Sequence, residues 1–225
     1  MTGVPPTRTA RVLELQRLST AGYALVLERD NLIFRAGQLI NLHGRDTLEH
    51  RSYTICSGEN DPQLTVLFRH IPSGVLTPQL LGLRPGDRIE ISGPYGEFVV
   101  RDRQRPLWFF ATGTGVAPCR AYHRSYPGLD LTLVHGVRRA DDLFYREEWR
   151  ALTYIPCLTA DPGTPDVVHG RVTDVARARE LPADAHYYLC GANEMIYEMQ
   201  EILAARGIDR GHIFTEAYYY RSDDA

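Results

Sequence analysis

The sequence predicts two domains in tandem: an antiparallel β-barrel over residues 1–102, then an α/β domain with a parallel sheet over 103–225, an α+β architecture as a whole. Three observations predict it. The first hundred positions hold short segments of alternating apolar and polar residues, closely punctuated by turn residues, as in small barrels. Farther on, the strands become near-continuous apolar runs that alternate with helical patterns, the mark of a parallel sheet covered on both faces. The length, 225 residues, suits one or two domains at roughly 150 residues each.

In the first half, alternation runs through 10–18 and 23–28 and recurs at 38–42, 52–56, 64–68 and 88–92. Ala21-Gly22, the stretch from Gly58 to Pro62, and Pro85-Gly86-Asp87 supply the turns. One short helix is expected to start near Thr77-Pro78. The polar stretch Arg101-Asp-Arg-Gln-Arg-Pro106 reads as a linker or seam. Apolar strands follow at 107–111, 131–135, 154–158 and 186–190. They alternate with helical patterns at 116–125, 141–150, 171–179 and 194–206. In the last helix Met195, Met199, Ile202 and Leu203 recur at helical spacing and make one apolar face.

Composition excludes several chemistries. Twenty-five basic and 28 acidic residues give a net charge of −3, unlike the strongly basic surface that nucleic acid requires. No apolar run approaches the roughly 20 residues of a membrane helix, and the start lacks a signal-peptide layout, so a cytoplasmic protein is expected. Every basic residue is arginine; without lysine there is no Walker A loop and no Schiff-base lysine. Cys56, Cys119, Cys157 and Cys190 are scattered, with neither C-x2-C nor the plant-type iron–sulfur spacing, so no metal is expected.

Three segments carry chemistry in their own residues. The second half opens on Thr112-Gly-Thr-Gly-Val-Ala-Pro118. A strand ends at Thr112, Gly113 and Gly115 turn the chain around Thr114, and a helix is expected near Val116. Free amides at a helix start favour a phosphate, and glycine lets backbone approach a ligand closely. An ordinary strand-to-helix turn fits the same residues, and Pro118 stands where G-x-G-x-x-G has its third glycine. In the barrel, Arg51-Ser-Tyr-Thr54 lies on a strand whose alternation sets Arg51 and Tyr53 on one face, Ser52 and Thr54 on the other. Ser73-Gly-Val-Leu-Thr77 opens the short helix; amides there suit an anion, with Thr77 as cap or ligand, although a plain helix cap fits as well.

These pieces stand in order with three more: Gly93-Pro-Tyr-Gly96, Cys190-Gly-Ala-Asn-Glu-Met195 and Glu216-Ala-Tyr218. The series of six resembles the ferredoxin–NADP reductase family of flavoproteins and spans essentially the whole chain. The resemblance implies FAD on the barrel and NAD(P)H on the second domain. By it, Arg51 would pair with the flavin cofactor's pyrophosphate, its guanidinium fork bonding two oxygens. Amides of Ser73, Gly74, Val75, Leu76 and Thr77 would complete that nest, and two sites on one diphosphate imply FAD over FMN. Tyr53 would lie against one flavin face, with Ser52 beside it. Thr54, in place of the family's commoner serine, would sit at flavin N5.

On the second domain, Thr112, Gly113, Thr114, Gly115 and Val116 would face the nucleotide pyrophosphate. Cys190, at the carboxyl end of a strand, would sit near the nicotinamide; without the resemblance it also reads as a buried structural cysteine. Tyr218 would cover the other flavin face until nicotinamide displaces it, and Glu216 would orient or relay protons. The chain continues through Tyr219 and Tyr220, which leaves open which tyrosine stacks. Arg138 and Arg171 match positions that hold the 2′-phosphate in NADP-specific bacterial members, while Ala160 replaces a further arginine and Asp161 would repel a phosphate. The arginines weigh toward NADP, with NAD the alternative.

The implied reaction is hydride transfer between NAD(P)H and flavin N5, followed by single-electron transfer to a separate carrier, ferredoxin or flavodoxin. Residues 1–102 carry 11 basic and 11 acidic residues, so net charge does not locate the docking face. The alternatives are an NADH-dependent reductase component of an oxygenase, a free-flavin reductase, and a non-catalytic flavin-binding sensor.

Overall fold

A computed structural model of the chain describes residues 7–45, 48–161 and 166–218. The alternating segments of the first half pair into six antiparallel strands: β1 (Arg8–Arg17), β2 (Gly22–Glu28), β3 (Leu39–His43), β4 (His50–Thr54), β5 (Gln63–Arg69) and β6 (Arg88–Tyr95). Their order is β4-β3-β6-β1-β2-β5, and a bridge from Ile55 to Val66 joins the two ends toward a barrel. The inward residues of the alternation, among them Val12, Leu25, Leu27, Ile40, Leu42, Leu64 and Val66, are buried as one core. Helix α1 (Leu76–Leu81) adds Leu76 and Leu80 to it.

The second half forms six parallel strands, β7 (Leu107–Thr112), β8 (Leu131–Val137), β9 (Thr153–Leu158), β10 (Val168–His169), β11 (His186–Gly191) and β12 (Ile213–Ala217), in the order β10-β9-β8-β7-β11-β12. Helices α2 (Ala117–Ser125), α3 (Val172–Ala178) and α4 (Asn193–Ala205) lie between them in sequence. Phe109 belongs to one apolar core and its neighbour Phe110 to another, so β7 is covered on both faces and its apolar run is unbroken. The apolar face expected of α4 is buried, with Met195, Met199, Ile202 and Leu203 all inside. At about 1.5–3 kcal/mol per large apolar side chain, that face holds the helix in place. Strand order reverses between β7 and β11, which puts the ligand crevice of an open α/β sheet at their carboxyl ends.

Three local expectations change. The helix predicted at 141–150 is replaced by short 3-10 turns, Ala140–Asp142 and Glu148–Ala151, on either side of Tyr145 in the left-handed region at φ 58°. Tertiary anchors override the helical pattern here. Phe144 and Trp149 are buried, Trp149 Nε1 donates to the Phe144 carbonyl at 2.9 Å, and Ser19 Oγ of the barrel donates to Asp142 at 2.6 Å. Strands β10 and β12 were not predicted: β10 is two residues long, and β12 falls where the sequence displayed only the Glu216–Tyr218 motif.

The polar seam is held fast. Arg103 stacks 3.7 Å from the ring centre of Tyr126, Arg101 lies 5.9 Å from that of Phe214, and Arg105 donates to the Asp184 carbonyl at 3.2 Å. Behind it, one apolar core runs through both halves, joining Ala36, Leu67 and Phe98 to Phe109, Val116 and Tyr122. Among the described residues, no helix is long and apolar enough to cross a membrane.

Candidate functional site

The two halves meet at a cleft of about 720 Å3. Arg51, Ser52, Tyr53 and Thr54 of β4 line it, with Gly74, Val75, Leu76 and Thr77 at the entry to α1. Thr114, Glu216 and Tyr218 come from the other half. The alternation on β4 does not divide these residues as expected. β4 is the terminal strand of its sheet, and side chains from both of its faces border the cleft.

A chain of hydrogen bonds crosses the junction. Tyr218 Oη donates to Thr54 Oγ1 at 2.8 Å, and Thr54 Oγ1 donates to Glu216 Oε2 at 2.6 Å. Cys190 Sγ lies 4.0 Å from the same carboxylate oxygen. β12 brings these groups together because it runs parallel to β11 with Cys190 and Glu216 in register. Burial pushes the Glu216 carboxyl up to about 7, against the lowering effect of the Thr54 bond. Burial also raises the Cys190 thiol, as does the Glu216 charge beside it, so this cysteine is a neutral thiol.

Arg51 Nη2 stands 2.7 Å from Glu49 Oε2 and is half exposed at the rim. A second arginine, Arg69 at the end of β5, lines the same cleft, together with Phe68. Sequence reasoning missed Arg69; its signal was an exposed arginine closing an otherwise apolar strand. The entry to α1 also departs from expectation. Val75, not Thr77, is the N-cap, and no side chain caps the helix. Thr77 Oγ1 accepts from the Ile71 amide at 2.9 Å and donates to the Ile71 carbonyl at 3.0 Å. The Gly74 amide donates to that same carbonyl at 3.0 Å, so Thr77 and Gly74 brace the loop. Ser73 is exposed and is not on the cleft wall.

At the crevice of the parallel sheet, Gly113–Val116 forms a 3-10 turn and α2 starts one residue later than expected. Gly113 has φ 54°, and a Cβ on Gly115 would overlap the Cys190 carbonyl and lie 2.9 Å from the Gly191 nitrogen. Thr112 Oγ1 accepts from the Ala192 amide at 2.9 Å, tying the end of β7 to that of β11. His135 was passed over in sequence, although a histidine within an apolar run was visible. It is fully buried and its Nε2 donates to the Gly113 carbonyl at 2.9 Å. Burial lowers its pKa to about 4, so the ring is neutral and holds the turn from below.

A second cleft of about 700 Å3 lies beyond the ends of β9 and β10. Arg171, Asp161, Asp174 and Glu198 line it, and Arg138 is exposed outside that lining. Arg171 Nη1 is 3.8 Å from Glu198, whose carboxylate also meets Arg177 at 2.6 Å. Asp161 accepts from the Ala140 amide at 2.6 Å. Tyr219 and Tyr220 lie outside the described residues.

The donor set of the first cleft fits FAD. It has two guanidinium groups for a diphosphate, tyrosines for a flat ring, and hydroxyls and a carboxyl at the domain junction. Known proteins agree. A family model of the oxidoreductase FAD-binding domain matches residues 14–100, and one of the oxidoreductase NAD-binding domain matches 109–201. The reductase component of propane 2-monooxygenase from Rhodococcus jostii is 32% identical over 95% of this chain and 61% of its own length. The toluate 1,2-dioxygenase electron transfer component of Pseudomonas putida is 28% identical over 93% and 67%. The chain thus spans about three-fifths of the propane monooxygenase reductase components it matches.

Among solved structures, the Amycolatopsis cytochrome P450 reductase GcoB superposes with TM-score 0.84 at 28% identity, covering 95% of this chain and 70% of that one. A Neisseria gonorrhoeae ferredoxin NADP+ reductase with bound FAD and NADP shares the fold at TM-score 0.84 and 17% identity, over 95% and 99%. With an FAD-binding domain followed by an NAD-binding domain on this two-sheet fold, the chain belongs to the ferredoxin–NADP reductase family of oxidoreductases.

Proposed function

We propose that this chain is a reductase that takes a hydride from a nicotinamide nucleotide and passes the electrons singly to a separate protein, the oxygenase of a two-component system or its ferredoxin-type carrier. The observation that carries the reading is the bonded junction Tyr218–Thr54–Glu216, which joins the flavin strand of the barrel to the last strand of the nucleotide domain. Relatives named as reductase or electron transfer components of oxygenases support this acceptor over the ferredoxin or flavodoxin that the sequence put first.

When bound, FAD supplies a ring that accepts two electrons as hydride and releases them one at a time. The chain's residues do the rest. Arg51, with Arg69 nearby, neutralises the diphosphate, and the turn that Gly74 braces supplies backbone amides from Val75, Leu76 and Thr77. Tyr53 and Tyr218 offer flat faces, with Ser52 at the strand edge. Thr54 presents its hydroxyl at the reacting edge. Glu216, titrating near neutrality, holds or gives up a proton at Oε2. Cys190 packs as a neutral thiol behind that point. Thr112 to Val116 hold the nucleotide's pyrophosphate, with the barrel domain ending near 102.

The charge of the second cleft weighs toward NADH over the NADPH favoured by sequence. Arg171 is engaged by Glu198, and Asp161 and Asp174 share its wall, which suits a ribose diol better than a phosphate. The test is anaerobic stopped-flow reduction of the FAD-loaded protein by each nucleotide. Bleaching of the flavin is expected, with kcat/KM at least about ten-fold higher for NADH, the factor a 1.4 kcal/mol difference gives. A flavin left oxidised by both nucleotides overturns the reading; a preference for NADPH overturns only the choice of nucleotide.

A further inference from the structure

Helix α2 follows directly on the nucleotide turn, and one side of it is fastened to the barrel. Arg120, one turn into the helix, donates through Nη1 to the Cys56 carbonyl at 3.1 Å, two residues beyond Thr54. Its Nε and Nη2 hold the Glu148 carboxylate at 3.0 and 2.7 Å, and its guanidinium lies 4.0 Å from the ring centre of Tyr145. The side chain is only 12% exposed. Farther along, Arg124 holds both oxygens of Asp61 at 2.7 and 3.0 Å, and Ser125 Oγ accepts from the Glu59 amide at 2.9 Å. Barrel segment 56–61 is therefore held at three points by this helix.

A guanidinium suits this task. It never loses its charge, and its planar fork fixes direction as well as distance. Enclosed as it is, the pair is screened little by salt. Arg120, Glu148 and Cys56 line neither cleft.

We infer that Arg120 is a positioning residue for hydride transfer: by tying the helix that starts at the nucleotide turn to the backbone just past Thr54, it sets how closely the nicotinamide and the flavin approach. This rests on the function proposed above. The reacting rings must be held about 3–3.5 Å apart, and a misplacement of about 1 Å costs on the order of a hundred-fold in rate.

The experiment uses FAD-loaded wild type, Arg120→Met, Arg120→Lys and Glu148→Gln, reduced anaerobically with NADH and with 4-deuterated NADH over a range of concentrations and temperatures. In Arg120→Met, FAD content and nucleotide Kd should stay within about two-fold of wild type. The limiting reduction rate should fall by at least about ten-fold, with an isotope effect that depends more steeply on temperature. Arg120→Lys, which keeps the charge without the fork, should recover part of the rate. An unchanged limiting rate in Arg120→Met overturns the inference, as does a loss explained wholly by released FAD or raised Kd. Where Arg120→Met fails to fold, Glu148→Gln decides: a lowered limiting rate at full FAD content supports the role, and an unchanged one removes it. A wild-type flavin that NADH and NADPH both leave oxidised sinks the functional reading, and this inference with it.

Discussion

Glu216 is the residue whose chemistry depends most on its surroundings. In sequence it is one of 28 acidic residues; in the fold it is enclosed at the domain junction with a pKa of about 7 instead of 4.5. A buried carboxyl with a raised pKa keeps its proton after the unfolded chain has released its own, so unfolding releases a proton between those two values. Its contribution is therefore most favourable below about pH 4.5, declines as pH rises, and is fully lost above about pH 7, a difference of about 3 kcal/mol. Glu216→Gln in flavin-free protein should match wild type near pH 4.5 and be more stable at pH 8 by up to that amount. Denaturant titrations at both pH values measure it, and an offset that does not change with pH counts against the account. That Glu216 belonged to a site was legible from its motif. Its protonation was not, because desolvation depends on what covers the group.

At the scale of elements, the glycine-rich turn shows what spacing reveals and what it hides. The sequence marks Gly113 and Gly115 alike, but they serve different ends. Gly113 needs a left-handed backbone and has open space around its Cβ direction, whereas Gly115 needs the absence of a side chain because β11 passes against it. Asparagine tolerates the left-handed region, so Gly113→Asn should cost less than about 1 kcal/mol. Gly115→Asn should cost about 3 kcal/mol or more by forcing β11 away, and should weaken nucleotide binding as well. Thermal unfolding together with nucleotide titration separates the two, and equal costs would refute the distinction. The failed helix at 141–150 teaches the same lesson. Its local pattern was helical, but Asp142 is held by Ser19 of the barrel, and the Trp149 indole takes the Phe144 carbonyl that a helix would need for its own backbone ladder.

For the whole molecule, one apolar core crosses the seam between the two halves. Phe98 of the barrel meets Phe109, Tyr122 and Tyr188 of the second domain at ring separations of 6.1, 6.3 and 5.4 Å. Tyr122 also donates to the Phe98 carbonyl, fully out of water. The chain should therefore unfold in one transition. Both tryptophans, Trp108 and Trp149, lie in the second half, so their fluorescence reports that half, while far-ultraviolet circular dichroism reports both. The two midpoints should coincide. Tyr122→Phe should lower the common midpoint, costing about 1–3 kcal/mol for the carbonyl left unpaired, without splitting it. Separate midpoints in wild type would show that the halves are independent.

Periodicity made the two-sheet plan legible from the amino acids, because it is a local property, while the family resemblance of the ordered motifs supplied the cofactors and most of the residues that line the junction cleft. The tertiary structure alone decided which groups meet. It brought Thr54 to Glu216 across 162 positions, bonded the Thr77 hydroxyl to the Ile71 backbone, set carboxylates beside Arg171 and fastened α2 to the barrel through Arg120. The reason is physical: hydrogen bonding, burial and charge pairing act over a few ångströms of space, and distance along the chain does not limit them.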